Sequence, residues 1–362
     1  MAKEKITLVV SDFHLGAGPE LPDGKTNFLE DFFHDAKFVE FLDYYSSGDY
    51  ARREVELVIN GDFFNHLQVF PDEERPELIT EAVTIRRTEA IMAGHPAIFD
   101  ALSRFAAAPR HSIVFMIGNH DVGLFWPSAR DLLVQMLGPT VRVHAEAAYI
   151  SEGVWIEHGN QHVAENRMNF SQPILDGSRG EPIINLPWGD IFVIRFLNRV
   201  KRGRPYIDKV FPFRLYLRWA LIHDTCFALK TSFVGFFYFL QLVLGIGDGG
   251  RLGRREFFKI AKEFSFPVHM ERAAKRIFAL HPDVHVVVFG HGHRAAARAF
   301  AGGKEYFNTG IWNEMISLDI GTMGRSLRLT FAEIARGKDN IPHGRLREWK
   351  GAYREVEEMG LI

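Results

Sequence analysis

The chain has 362 residues, 47% hydrophobic and 24% charged, which excludes a disordered polymer and allows one large domain or two ordinary ones. Its formal charge of −2 argues against general affinity for nucleic acid, and a single cysteine, Cys226, excludes an intrachain disulfide and points to a reducing compartment. The charge is unevenly spread: Phe192 to Phe264 holds 14 Lys or Arg against 5 Asp or Glu, a local +9 that leaves −11 for the rest and favours an anionic partner for that segment.

The opening MAKEKITLVVSD has too short an apolar run for a signal peptide, so a cytoplasmic location is expected. KITLVV reads as a buried strand and passes directly into Ser11-Asp12-Phe13-His14. Residues i and i+2 of a strand share a face, so Asp12 and His14 converge if the extended geometry persists for one more step. A carboxylate and an imidazole on one point suggest a divalent cation. EVELVIN then leads into Gly61-Asp62, and a helical stretch, Pro76 to Ala108, ends at Pro109. HSIVFMI leads into Gly118-Asn119-His120-Asp121, GVWIE into His158-Gly159-Asn160, and VHVVVF into Gly290-His291-Gly292-His293. Beyond these, ARAFAG, KEYFNTG, MISLDI and SLRLTFAEI read as antiparallel strands turning at Gly302-Gly303 and Gly321, which would build a second sheet packed on the first.

Strands alternating with helices predict an α/β sheet, in which ligands bind outside the carboxyl ends of the strands. The polar clusters all occupy such ends. Together they offer Asp12, His14, Asp62, Asn119, His158, His291 and His293: two carboxylates, one amide oxygen and four imidazoles. That set is too large for one ion and suits two with a shared carboxylate; mixed oxygen and imidazole donors without thiolate favour manganese, iron, zinc or cobalt over calcium.

The ordered blocks D-x-H, GD, GNHD, H and GHxH resemble those of the calcineurin-like metallophosphoesterases, across Asp12 to His293. The resemblance implies an α/β fold with a double β-sheet sandwich flanked by helices, the four-layer metallophosphoesterase fold, holding two metal ions at its edge, manganese foremost. One ion would take Asp12, His14 and His293, the other Asn119, His158 and His291, with Asp62 bridging. In such a centre a bridging hydroxide attacks phosphorus in line. His120 would protonate or stabilise the leaving group, with Asp121 orienting its ring. Asn65, His66, His162 and Arg294 are candidates for contact with substrate or support of a ligand. His95, His111 and His144 have no such context and read as structural or exposed.

The 132 residues between His158 and His291 exceed what a strand connection needs. The expected organisation is therefore a metallophosphoesterase domain over 1–185 and 267–362, with a helical, aromatic-rich insert or lid over 186–266. Thr231 to Gly247 is 17 residues without charge, at the lower limit for a spanning helix. A single span would have to return the chain to the same side for its last ligand block, which counts against it. The insert then reads either as a buried helical subdomain or dimer interface, or as a lid docking on the inner membrane face, with Arg214 and Arg218 on one helical face and Arg251, Arg254 and Arg255 meeting headgroups. Such an insert is similar to the lid of the UDP-2,3-diacylglucosamine pyrophosphatases, whose pattern SDFHL and EHGN also match; His120 departs from it, since that subfamily carries Arg there. The expected function is a dimetal hydrolase of phosphate esters or pyrophosphates, acting on an amphiphilic, lipid-linked nucleotide or a small phosphate-containing substrate. The alternatives are a nuclease or phosphodiesterase acting on nucleic acid or nucleotides, and a non-catalytic binding protein of the same fold.

Overall fold

The computed structural model describes residues 5–21, 23–70, 73–177, 180–244, 259, 269–318, 323–337, 339–352 and 357–358. Gly321, Arg251, Arg254 and Arg255 lie outside these residues, as does the side chain of Arg214.

In chain order the elements begin β1 (Lys5–Val10), α1 (Asp35–Tyr45), β2 (Glu54–Asn60), α2 (Glu81–Gly94), α3 (Pro96–Ala107), β3 (His111–Met116), α4 (Pro127–Leu137) and β4 (Val141–His144). Two short hairpins follow, β5 (Tyr149–Ser151) with β6 (Val154–Ile156) and β7 (Ile174–Asp176) with β8 (Pro182–Ile184). The helical segment comprises α5 (Trp188–Phe192), a π-helical turn (Val193–Leu197), α6 (Asn198–Lys201), then β9 (Val210–Phe211), α7 (Phe213–His223) and α8 (Thr225–Leu244). The chain closes with α9 (Met270–Leu280), β10 (Val286–Phe289), β11 (Ala296–Phe300), β12 (Lys304–Asn308), β13 (Glu314–Ser317), β14 (Gly324–Leu327), β15 (Thr330–Arg336), β16 (Pro342–Glu348) and β17 (Glu357–Glu358).

The result is a mixed α/β fold with several sheets. A seven-stranded sheet has the order β17-β16-β15-β1-β2-β3-β4, with β1 to β4 parallel. A five-stranded sheet has the order β11-β12-β10-β6-β5, with β10 parallel to both neighbours. The apolar runs are continuous because both faces of these strands are buried. Ile6, Leu8 and Val10 of β1 turn toward the helices α1 to α4, while Val9, Val58 and Val114 pack with Val154, Ile156, Val286 and Val288 of the other sheet. The second sheet's remaining face is covered by Ala274, Ile277 and Phe278 of α9. The two sheets therefore bring the carboxyl ends of β1, β2, β3, β6 and β10 to one edge.

Two expectations are corrected. The helical stretch 76–108 is two helices, because Pro96 lacks an N–H to continue the first; Thr80 caps α2 through the Val83 N–H. SLRLTFAEI is also two strands: β15 joins the first sheet beside β1, and β14 pairs with β13, which pairs in turn with β9, in a separate three-stranded sheet. Alternating burial cannot tell which sheet a strand enters.

Candidate metal centre

Asp12 and His14 follow β1, but they do not converge by extended geometry. Both adopt left-handed backbone, with φ of 58° and 54°, and so do Asp62 at 51°, His291 at 61° and His293 at 53°. Such conformations cost roughly 1–3 kcal/mol each for residues other than glycine and cluster at functional sites. The intervening Phe13 is fully buried and stacks on Trp312 at 5.0 Å, which anchors the turn. Neighbouring glycines give the room: a Cβ on Gly61 would sit 2.5 Å from His158 Nδ1, and one on Gly118 would fall on the Asp62 carboxylate.

Three sets of ligand atoms meet closely enough to hold a cation: Asp12, His14 and His293; His14, Asp62 and His120; and Asp62, His158 and His291. His293 Nε2 lies 3.4 Å from Asp12 Oδ1 and 3.3 Å from His14 Nε2. Asp62 Oδ2 is 3.1 Å from His158 Nε2 and 3.9 Å from His14 Nε2, so it stands between the two outer sets. Asn119 joins through its amide: Nδ2 donates to Asp190 Oδ1 at 3.1 Å, and Oδ1 is buried with no hydrogen-bond partner. His158 Nδ1 donates to the Asn60 carbonyl at 2.8 Å, which leaves Nε2 buried and turned to the Asp62 carboxylate. An orphaned amide oxygen beside an imidazole nitrogen that faces a buried carboxylate fits a divalent cation.

The electrostatics agree. Burial would raise the Asp62 carboxyl, but His158 and His120 hold it well below the usual carboxylate range. Burial would lower His158, yet Asp62 lifts it to about 10; a cation at Nε2 would take the place of that proton. Burial with the nearby His120 pushes His14 well down, and burial with His158 does the same to His291, favouring the neutral imidazoles that ligate metals.

His120 lies edge-on to His14, ring centres 4.5 Å apart, and its backbone N–H donates to Asp62 Oδ1 at 2.8 Å. Its Nδ1 faces Asn65 Oδ1 at 2.9 Å. Asp121 does not orient this ring: its carboxylate accepts the backbone N–H groups of Phe64 and Gly118 at 2.7 and 2.9 Å, which ties the GD and GNHD loops together. His66 is also corrected. It is fully buried, both ring nitrogens are engaged by Thr88 and Gly123, and it stacks on Phe64, so it packs the core and offers nothing to a substrate. His162 pairs with Glu157, and the exposed Arg294 lies over the Phe211 ring at 5.0 Å. A cavity of about 190 Å³ opens beside His14, His120 and His293, its far wall including Val193, Leu197 and Lys209.

The sequence reading missed Asp190. It is fully buried and held well above the carboxylate range by burial and by Asp62. Its signal was the GD pair of PWGDIF, inside the segment assigned to the insert; Ile191 and Ile194 pack into the main core, so the insert's first turns belong to the site's scaffold.

No family model matches the chain, and no curated protein matches it. Similar solved structures include a dimetal phosphatase from Danio rerio, 11% identical over 99% of this chain and 100% of that one, with a TM-score of 0.37. A calcineurin-like phosphoesterase from Bacillus subtilis is 12% identical over 98% and 93%, TM-score 0.35. Vacuolar protein sorting 29 from Cryptosporidium parvum is 12% identical over 99% and 97%, TM-score 0.34. At these values the reading of the site rests on this chain's own side chains.

Proposed function

We infer that the chain is a calcineurin-like metallophosphoesterase, a metal-dependent hydrolase of phosphate esters or anhydrides. The helix, sheet, sheet, helix order reads as the four-layer sandwich of that family, built from 1–185 and 267–362, with 186–266 as the insert. The observation that carries the inference is Asp62 standing between two sets of ligands, with His158 Nε2 turned to its carboxylate and Asn119 Oδ1 buried and unpaired. Asp12, His14 and His293 would hold one divalent cation and Asn119, His158 and His291 the other, manganese being the first candidate and iron, zinc or cobalt the alternatives. When bound, such a pair supplies an ionised water at neutral pH and neutralises phosphoryl oxygens.

The chain's own residues do the rest. His120 keeps one proton on Nδ1 toward Asn65; as the imidazolium it carries a second on Nε2, which passes to the departing oxygen and leaves the neutral Nδ1–H ring. The cavity beside it is lined by Val193, Leu197, Ile311 and Met315, a wall suited to an apolar group on the substrate, and by Lys209, which pairs with Asp31 at 3.3 Å. A panel of p-nitrophenyl phosphate, bis-p-nitrophenyl phosphate, an acylated nucleotide-sugar pyrophosphate and single-stranded DNA tests the class. Hydrolysis of the phosphate esters supports it, preference for the acylated substrate supports the amphiphilic reading, and inertness toward all four with every divalent cation would overturn it.

We propose as the insert's partner an anionic lipid surface, such as the inner face of a membrane. Trp219 of α7 is 53% exposed, and Phe233 of α8 is 73% exposed, on a segment whose net charge is +9 in a chain of net −2. Among the described residues no helix is long and apolar enough to cross a membrane.

A further inference from the structure

Three buried carboxamides form a file from the insert to the ring of His120. Asn198, the first residue of α6, donates Nδ2–H to the carbonyl of Leu67 at 2.9 Å. Its Oδ1 accepts from Gln68 Nε2 at 2.9 Å, Gln68 Oε1 accepts from Asn65 Nδ2 at 2.6 Å, and Asn65 Oδ1 faces His120 Nδ1 at 2.9 Å. Asn65, Gln68 and Asn198 are 0%, 4% and 3% exposed, so water does not compete for these links. A backbone carbonyl can only accept. Asn198 must therefore turn its amino group to Leu67, and each later amide is fixed the same way round. The last atom of the file, Asn65 Oδ1, has no proton to give. His120 must carry its hydrogen on Nδ1.

We propose that Asn198, acting through Gln68 and Asn65, is the positioning residue by which the insert sets the tautomer and aim of His120. The file holds Nδ1 protonated in both charge states of the ring, so the proton that the imidazolium gives to the leaving group is the one on Nε2, and the neutral Nδ1–H ring is what remains. It does so without bringing a further charge beside Asp62, since every member is neutral. This deepens the reading of the site as a phosphoester hydrolase and rests on it for its catalytic meaning. The tautomer itself is independent of that reading.

The experiment uses the full chain labelled with 15N-histidine and loaded with diamagnetic zinc, the His120 signal being assigned by its loss in His120→Gln. The wild type is expected in the Nδ1–H form, and Asn198→Leu in a mixture of tautomers. For Asn198→Leu, kcat on an alkyl phosphate should fall roughly tenfold, while that on p-nitrophenyl phosphate changes less than about twofold, because an activated leaving group needs little protonation. KM should stay constant. If Asn198→Leu does not fold, Gln68→Glu replaces it: glutamate keeps the size but has no N–H for Asn198. A wild-type His120 protonated on Nε2 alone, or a variant that leaves both rates unchanged or lowers them equally, would overturn the proposal. A wild type that hydrolyses neither ester would instead remove the hydrolase reading, and the resonance would still decide the file.

Discussion

Asp190 accepts the Nδ2–H of Asn119 at 3.1 Å and so turns the amide oxygen of Asn119 inward, where nothing else bonds it. A free carboxamide presents either end; this one presents an oxygen, the end a cation can use. Asp190→Ala should let the amide rotate and weaken metal binding about 10- to 100-fold, the usual effect of losing a residue that orients a ligand. Calorimetric titration with zinc measures it. Unchanged affinity would show that Asn119 needs no such support.

Gly118 gives a sterically sharper test. A Cβ there would fall on Asp62 Oδ1 and 2.5 Å from the Asp62 amide nitrogen, both in a loop already bound by the Asp121 carboxylate. Gly118→Ala should therefore displace Asp62, destabilise the chain by about 1–3 kcal/mol and abolish turnover. Denaturant unfolding and hydrolysis assays check the two effects; a fully active variant would mean that the loop yields freely.

Away from the centre, His95 is fully buried, its Nδ1 3.0 Å from Asp35 Oδ2 and its Nε2 3.3 Å from Glu30 Oε2. Burial alone would lower it, but the bonds to Asp35 and Glu30 hold it up to about 9, against 6.5 when free. The shift is upward, so the stabilisation is complete below pH 6.5 and is lost as pH rises through 9. Its size is on the order of 3 kcal/mol. His95→Gln should abolish that loss, as read from denaturant midpoints at acid and alkaline pH; an equal pH dependence in the variant would contradict the assignment. Glu30 also accepts the backbone N–H groups of Gly16 and Gly18, so this pair braces the loop after His14.

The lipid contact predicts sedimentation with vesicles containing phosphatidylglycerol, weakened by salt and by Phe233→Ser with Phe236→Ser, and little with phosphatidylcholine alone. Exposed Lys230 lies on α8 with those rings, and exposed Arg218 on α7 next to Trp219. Equal recovery with and without anionic lipid would remove the membrane from the account.

The five strand ends were legible because each is a short β-branched run broken by a polar cluster, a pattern local to about ten residues. The means of convergence was not. Strand spacing suggests that Asp12 and His14 meet by alternation, whereas left-handed turns at both do it, and nothing in the two letters announces a positive φ. The supporting residues were hidden for another reason. Asp190 acts on Asn119 across 71 positions, and Asn198 acts on Gln68 across 130. Only the folded chain makes such pairs. Asp121 shows the converse risk: sequence adjacency to His120 suggested a partnership that the backbone directs elsewhere.

The most direct test of the central claim is a titration of metal-stripped protein with manganese while hydrolysis of bis-p-nitrophenyl phosphate and p-nitrophenyl phosphate is followed. The account predicts that activity toward one or both esters rises to a plateau at two equivalents, and that Asp62→Asn binds at least one ion more weakly and turns over neither ester. A plateau at one equivalent, or full activity in Asp62→Asn, would contradict a centre in which Asp62 joins two cations.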